Sequence, residues 1–111
     1  MAQMNTDDMD CPLLLTQRVI FGKWKLSILW FLNKQESMRF GELKKAFDDP
    51  TLTQKMLTQH LRELENDLLI ERRVYNEVPP RVEYNLTEIG KRFGPIINSM
   101  EKWGIEYKEL L

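Results

Sequence analysis

From residue 12 onward the apolar positions recur at two different periods, and the change from one to the other organises the chain. Helical spacing comes first. Pro12 suits a first helical position, Leu14, Leu15, Val19 and Phe21 supply an apolar side over residues 13–21, and Gly22 predicts the stop through its freedom at positive φ. Residues 25–32 are apolar almost all round, through Ile28, Leu29, Phe31 and Leu32 with Trp24 just before them. This helix is therefore expected at the centre of the core. Residues 33–38 are polar and turn-like, Arg39-Phe40 reads as a short strand, and residues 41–47 read as a third helix with Leu43, Ala46 and Phe47 inward. Asp48-Asp49-Pro50-Thr51 breaks it, and Thr53 is placed to cap a fourth helix over residues 53–67. Its Leu57, Leu61, Leu64 and Leu68 share one face, while Gln54, Lys55, Thr58, Gln59 and Arg62 share the other.

At Ile70 the period becomes two. Ile70, Arg72 and Val74 alternate with Glu71, Arg73 and Tyr75, and after a turn at residues 76–80 the alternation resumes through Arg81, Val82, Glu83 and Tyr84. That predicts a hairpin over residues 70–86. Thr87 then caps a last helix over residues 88–110, in which Gly94-Pro95 predicts a kink or break. Two helices joined by about five residues and followed by a hairpin make a winged helix-turn-helix, a mainly α fold with a small β-hairpin. Ile89, Phe93, Ile96, Ile97, Met100, Trp103, Ile105 and Tyr107 are more apolar surface than one such domain must cover. The terminal helix is accordingly expected to form a homodimer interface, with Phe93, Ile96, Ile97, Met100, Trp103 and Tyr107 in it and Leu14 contributed by the first helix.

The chain has 111 residues and no repeat or linker, which fits a single domain over residues 11–111 behind a flexible polar tail of residues 1–10. No apolar run approaches the length of a bilayer span, and the acidic N-terminus is unlike a signal peptide. A cytoplasmic protein without a membrane partner is expected. One cysteine excludes an internal disulfide and a CxxC pair, and with a single histidine it leaves no metal site of the usual kind. No cofactor is expected. The net charge of −1 hides an uneven distribution: residues 18–81 carry twelve Lys and Arg against nine Asp and Glu, whereas residues 1–17 carry three Asp and no base except the amino terminus.

This local excess of base changes the reading of the fourth helix. Amides and hydroxyls at Gln54, Thr58 and Gln59 can donate and accept, so they suit base edges in a major groove, while Lys55 and Arg62 reach guanine or phosphate. Arg72, Arg73 and Arg81 are the cations of the hairpin, and Lys44 and Lys45 of the third helix can touch the phosphate backbone. Alternation keeps Arg72 and Arg73 from facing the same way, so one of them is expected to pair with Glu83 or another carboxylate across the hairpin. Arg81, at the turn, ranks first for DNA. An enzyme has no support, since there is no Gly-rich phosphate loop and no Ser/His/Asp or Cys/His set. The alternative is a winged-helix protein-docking module, for which residues 54–62 should instead show an apolar face. Cys11 stands at the start of the first helix, where the helix dipole favours a thiolate, and is the candidate for sensing an electrophile or oxidant. Its other reading is a small apolar residue against the core. His60 reads as a helix-flank polar residue, and Trp24, Trp30, Trp103, Phe93 and Tyr107 read as core and interface rather than as a small-molecule pocket.

Cys11-Pro12, FGKWKLSILWFL at 21–32, RFGELKKAF at 39–47 and LTQKMLTQHLRELENDLLIERRVYNEVPPRVEYNLTEIG at 52–90 together resemble the HxlR-type transcriptional regulators of bacteria and archaea. The resemblance covers the chain from residue 11 to about residue 104, and QKMLTQHLRELE and VPPRVEY are its most specific parts. It implies compact winged-helix domains that dimerise through their first and last helices and bind inverted-repeat operators as repressors or activators. It also implies, for some members, a response to electrophiles, quinones or oxidants through a cysteine near the N-terminus. Two departures stand out: Phe21 occupies a position where small residues are common, and Leu68-Leu69 replaces a more usual Asp/Asn-Gly-Leu turn.

Overall fold

The computed structural model describes residues 11–111. The tail of residues 1–10 lies outside them, and so does the expectation of its flexibility. Six helices and one hairpin follow in the order α1 (Pro12–Ile20), α2 (Lys25–Lys34), α3 (Phe40–Phe47), α4 (Gln54–Asn66), β1 (Ile70–Tyr75), β2 (Arg81–Leu86), α5 (Glu88–Arg92) and α6 (Gly94–Lys108). The fold is a winged helix-turn-helix.

Helix α2 is central, as its all-round apolarity predicts. Ile28, Leu29 and Leu32 are buried, and they meet Leu43 of α3, Leu57, Leu61 and Leu64 of α4, and Ile70 and Leu86 of the hairpin in one cluster. Trp24, Phe47 and Phe31 extend the core through edge-to-face contacts, with ring centroids 5.5 and 5.0 Å apart. In the hairpin, Ile70 pairs with Leu86, Arg72 with Tyr84 and Arg73 with Glu83. Pleating sends Ile70 and Leu86 to the core side, along with Arg72 and Tyr84, and Arg73 and Glu83 to the other.

Four local expectations are corrected. The extra strand segment is Met38, not Arg39-Phe40: its N–H and C=O bond Tyr84 at 3.0 and 2.8 Å, leaving Arg39 to open α3. Ala46 is exposed, because α3 is short and turns only Leu43 fully inward. Leu68 does not extend the leucine face of α4. The helix ends at Asn66, and Leu68 takes φ 68° with 70% of its surface exposed. Its N–H donates to Glu65 C=O while that of Leu69 donates to Leu64 C=O, both at 3.0 Å. This is a Schellman turn with leucine where glycine is usual. Finally, Phe93 and Ile97, assigned from the sequence to the dimer interface, are buried in this chain's own core. The break expected at Gly94-Pro95 falls there, at Phe93, and turns those two side chains toward α2.

Gly94 lies so close to α2 that a Cβ would meet Asn33 Oδ1 at 2.4 Å. From Asn98 to Leu111 every residue is exposed, so past Ile97 the side chains of α6 no longer enter the core.

Candidate nucleic-acid interface

Helix α4 begins at a built N-cap, where Thr53 Oγ1 accepts from Met56 N–H at 3.1 Å. Leu57, Leu61 and Leu64 are essentially inaccessible, which sets the rotation of the helix and forces its other side outward. Gln54, Lys55, Thr58, Gln59 and Arg62 together line one open groove along that side. The structure thus brings all five together on one surface.

Their freedom differs. Thr58 Oγ1 donates back to Gln54 C=O at 2.9 Å, so its lone pairs remain for a ligand. Gln59 Nε2 donates to Glu63 Oε1 at 3.1 Å. Glu63 in turn is ion-paired with Lys25 of α2, whose side chain is buried. That lysine and glutamate are absent from the sequence reading. The spacing of Gln59 and Glu63, four residues apart on a helix, is a signal that was available. Nothing in the pattern around Lys25, which sits among apolar residues, marks it as paired.

A second hollow continues from Gln54 to α3 and is lined by Lys44, Lys45, Asp48 and Asp49 among others. Both lysines therefore border the same concave surface as the start of α4. Asp48, at φ 46°, ends α3. Asp49 accepts from Thr51 N–H and Oγ1 at 2.8 and 2.6 Å, and the Thr51 hydroxyl above all holds its carboxyl below the usual carboxylate range.

On the wing, Arg72 and Arg73 lie on opposite faces, as alternation requires. Arg73 pairs with Glu71 at 2.9 Å, and Asn85 Nδ2 joins the same carboxylate from across the hairpin at 2.7 Å. The expected partner was across the hairpin. It is instead two residues away on the same strand, because residues i and i+2 share a face. Asn85 first and Arg73 second lower the Glu71 carboxyl below its usual range. Arg81 is also engaged: it lies 4.1 Å over the Tyr75 ring and 3.3 Å from Glu77. Arg72 is exposed, near the exposed Val74.

Cys11 is half-buried at the N-cap of α1, with no side-chain cap bond of its own. His60 is half-buried on the flank of α4. Among the described residues no group of three or more His, Cys, Asp and Glu is placed to hold a metal ion, and no helix is long and apolar enough to cross a membrane.

The remaining sequence candidates lie at the two ends of the chain. None of the nine residues of α1 is buried; Leu14 is half-buried and Leu13 is exposed. On α6, Ile96, Met100, Trp103 and Tyr107 are exposed, and the Trp103 and Tyr107 rings stack 5.0 Å apart. Trp30 Nε1 donates to the Glu101 carboxylate and ties this helix to α2.

Comparison with known proteins agrees with this geometry. The family model of HxlR-like helix-turn-helix proteins matches residues 19–110. YdeP of Bacillus subtilis strain 168, an uncharacterised HTH-type transcriptional regulator, is 46% identical over 106 residues, covering 95% of this chain and 80% of YdeP. Among solved structures, the redox regulator HypR in its reduced form superposes with a TM-score of 0.82 at 41% identity, covering 89% of this chain and 95% of that one. A protein of Porphyromonas gingivalis W83, described as a MarR-family transcriptional regulator, gives 0.81 at 39% identity, covering 95% and 98%.

Proposed function

This chain belongs to the HxlR-like helix-turn-helix family of transcriptional regulators, and we propose that it acts as a homodimer on an inverted-repeat DNA operator and responds to electrophiles or oxidants through Cys11. It is a DNA-binding regulator and not an enzyme. The observation that carries the proposal is the groove along α4. Five side chains that donate, accept or carry positive charge line it, and the helix's leucines, the apolar face a docking surface needs, point the other way into the core. In this reading α4 enters the major groove, β1 and β2 form the wing, and Lys44, Lys45 and the wing arginines meet phosphates.

The exposed strip of α6 and the absence of any buried residue in α1 support pairing of two copies through these helices. Cys11 opens α1, so a change at its sulfur acts at the start of that proposed interface. A lone thiol responds by alkylation, by a mixed disulfide, or by a bridge between protomers. HypR, named as a redox regulator, supports this part of the reading.

The test is an electrophoretic shift with DNA from upstream of the protein's own gene, using wild type and Cys11→Ser, with and without a thiol oxidant. A shift that survives excess random DNA, and that the oxidant alters in wild type but not in the serine variant, is expected. Equal competition by random DNA refutes the operator, and an unaltered wild-type shift refutes the sensing.

A further inference from the structure

Behind the open face of α4 a polar connection runs out of the core to Gln59. Lys25 is the first residue of α2, yet only 8% of its side chain is accessible. An ammonium taken out of water needs a partner and hydrogen bonds. Glu63 of α4 provides both. One of its carboxylate oxygens meets Lys25 Nζ, and the other accepts from Gln59 Nε2 at 3.1 Å.

An ionised carboxylate only accepts hydrogen bonds, so of the two ends of the Gln59 amide only the nitrogen can face it. That determines which way round the amide sits. Its carbonyl oxygen and its second N–H are left for the groove side. An acceptor beside a donor in one plane is the complement of adenine in the major groove, where N6 donates and N7 accepts. Without the carboxylate, nothing among these contacts would distinguish the two ends of the amide. Glu63 stays in the acceptor-only form through neutral pH, because Lys25 above all, and Gln59 after it, hold its carboxyl below the usual range.

We infer that Lys25 and Glu63 are positioning residues for base selection: the buried ammonium anchors the Glu63 carboxylate, and the carboxylate orients the Gln59 amide to read adenine. This rests on the proposal that α4 enters the major groove. Neither residue touches DNA in this scheme. Both act through Gln59.

The experiment is selection of bound duplexes from a randomised pool, with the full-length protein as wild type, Gln59→Ala, Lys25→Met, and the double variant Lys25→Met/Glu63→Met. The double variant removes both charges together, so that neither is left unpaired. Gln59→Ala identifies the operator position that loses its preference, and in wild type that position should be adenine. The double variant should lose about tenfold of the adenine preference there, keep the preferences elsewhere, and keep the salt dependence of binding. Lys25→Met should lose part of it, and decides the matter if the double variant does not fold. A variant that folds with the adenine preference of wild type undiminished overturns the inference, as does a base other than adenine at the position Gln59→Ala marks. If wild type selects no common sequence, the operator proposal itself fails, a result distinct from either of these.

Discussion

A Cβ on Gly90 would lie 2.1 Å from the carbonyl oxygen of Leu69, so the start of α5 rests directly on the backbone where α4 hands over to β1. The same carbonyl accepts from Thr87 N–H at 3.0 Å, and the Thr87 hydroxyl caps Gly90 N–H at 3.1 Å. Gly90→Ala should therefore destabilise the fold by about 3 kcal/mol, the upper part of the range for overpacking, since backbone and not a flexible side chain must move. Gly41→Ala, where a Cβ meets nothing within 4 Å, should be neutral or gain up to about 1 kcal/mol. Urea unfolding of the two variants against wild type measures the contrast.

Leu68 takes a left-handed conformation with most of its side chain in solvent. The steric cost for a residue with a Cβ there is about 1–2 kcal/mol, partly offset by the greater freedom glycine has when unfolded. Leu68→Gly should stabilise the protein by about 0.5–1 kcal/mol, because the Schellman turn is kept and little burial is lost. An unchanged or lower unfolding midpoint contradicts this account of the turn.

Acid should weaken the contact between α2 and α4. The folded Glu63 carboxyl is held low, chiefly by Lys25. A depressed folded pKa contributes stability that is present above the unfolded value and is lost as pH falls through the folded one. Stability should thus decline as pH drops below about 5, and Lys25→Met should flatten that decline. Unfolding curves at several pH values on both proteins give the slopes to compare.

The wing cations should not be equivalent. Arg73 and Arg81 are engaged by Glu71 and by Glu77 with Tyr75, whereas Arg72 is exposed on the opposite face from Arg73. If the wing meets phosphate, Arg72→Ala should weaken operator and random DNA about equally and lower the salt slope by about 1. A larger effect from Arg81→Ala would restore the order expected from the sequence, in which its place at the turn ranked it first.

Trp103 is exposed on the part of α6 past Ile97, whose side chains no longer enter the core. If two copies pair there, Trp103→Glu should convert a dimer to a monomer at micromolar concentration while leaving the unfolding signal of the winged domain in place. Sedimentation reads the first outcome and circular dichroism the second. A variant that remains dimeric moves the interface elsewhere.

Much of the fold can be read along the chain because its determinants are local. The period of Leu57, Leu61 and Leu64 in α4, the switch to alternation at Ile70, the Thr53 and Thr87 caps and the break before Pro95 each depend on a few neighbouring residues, and all four appear in the structure. Gathering Gln54, Lys55, Thr58, Gln59 and Arg62 on one surface needs only the helical period. Which apolar residues of the terminal helix stay outside is different. Ile96 and Ile97 are adjacent and equally apolar, yet only Ile97 is buried, because the break at Phe93 and the close approach of Gly94 to Asn33 set the rotation of α6.

The order of helices and strands, the polar face of α4 and the leftover apolar surface were settled by hydrophobic period and by turn and cap residues, whose preferences act within a few positions. Packing decided the rest. It placed leucine in a glycine-like turn at residue 68, tied Arg73 to Glu71 and Arg81 to Glu77, and buried Lys25 against Glu63. These outcomes require elements distant in sequence to meet, or side chains to choose among several charged neighbours. Desolvation and contact geometry at the meeting point make that choice, and they exist only once the chain has folded.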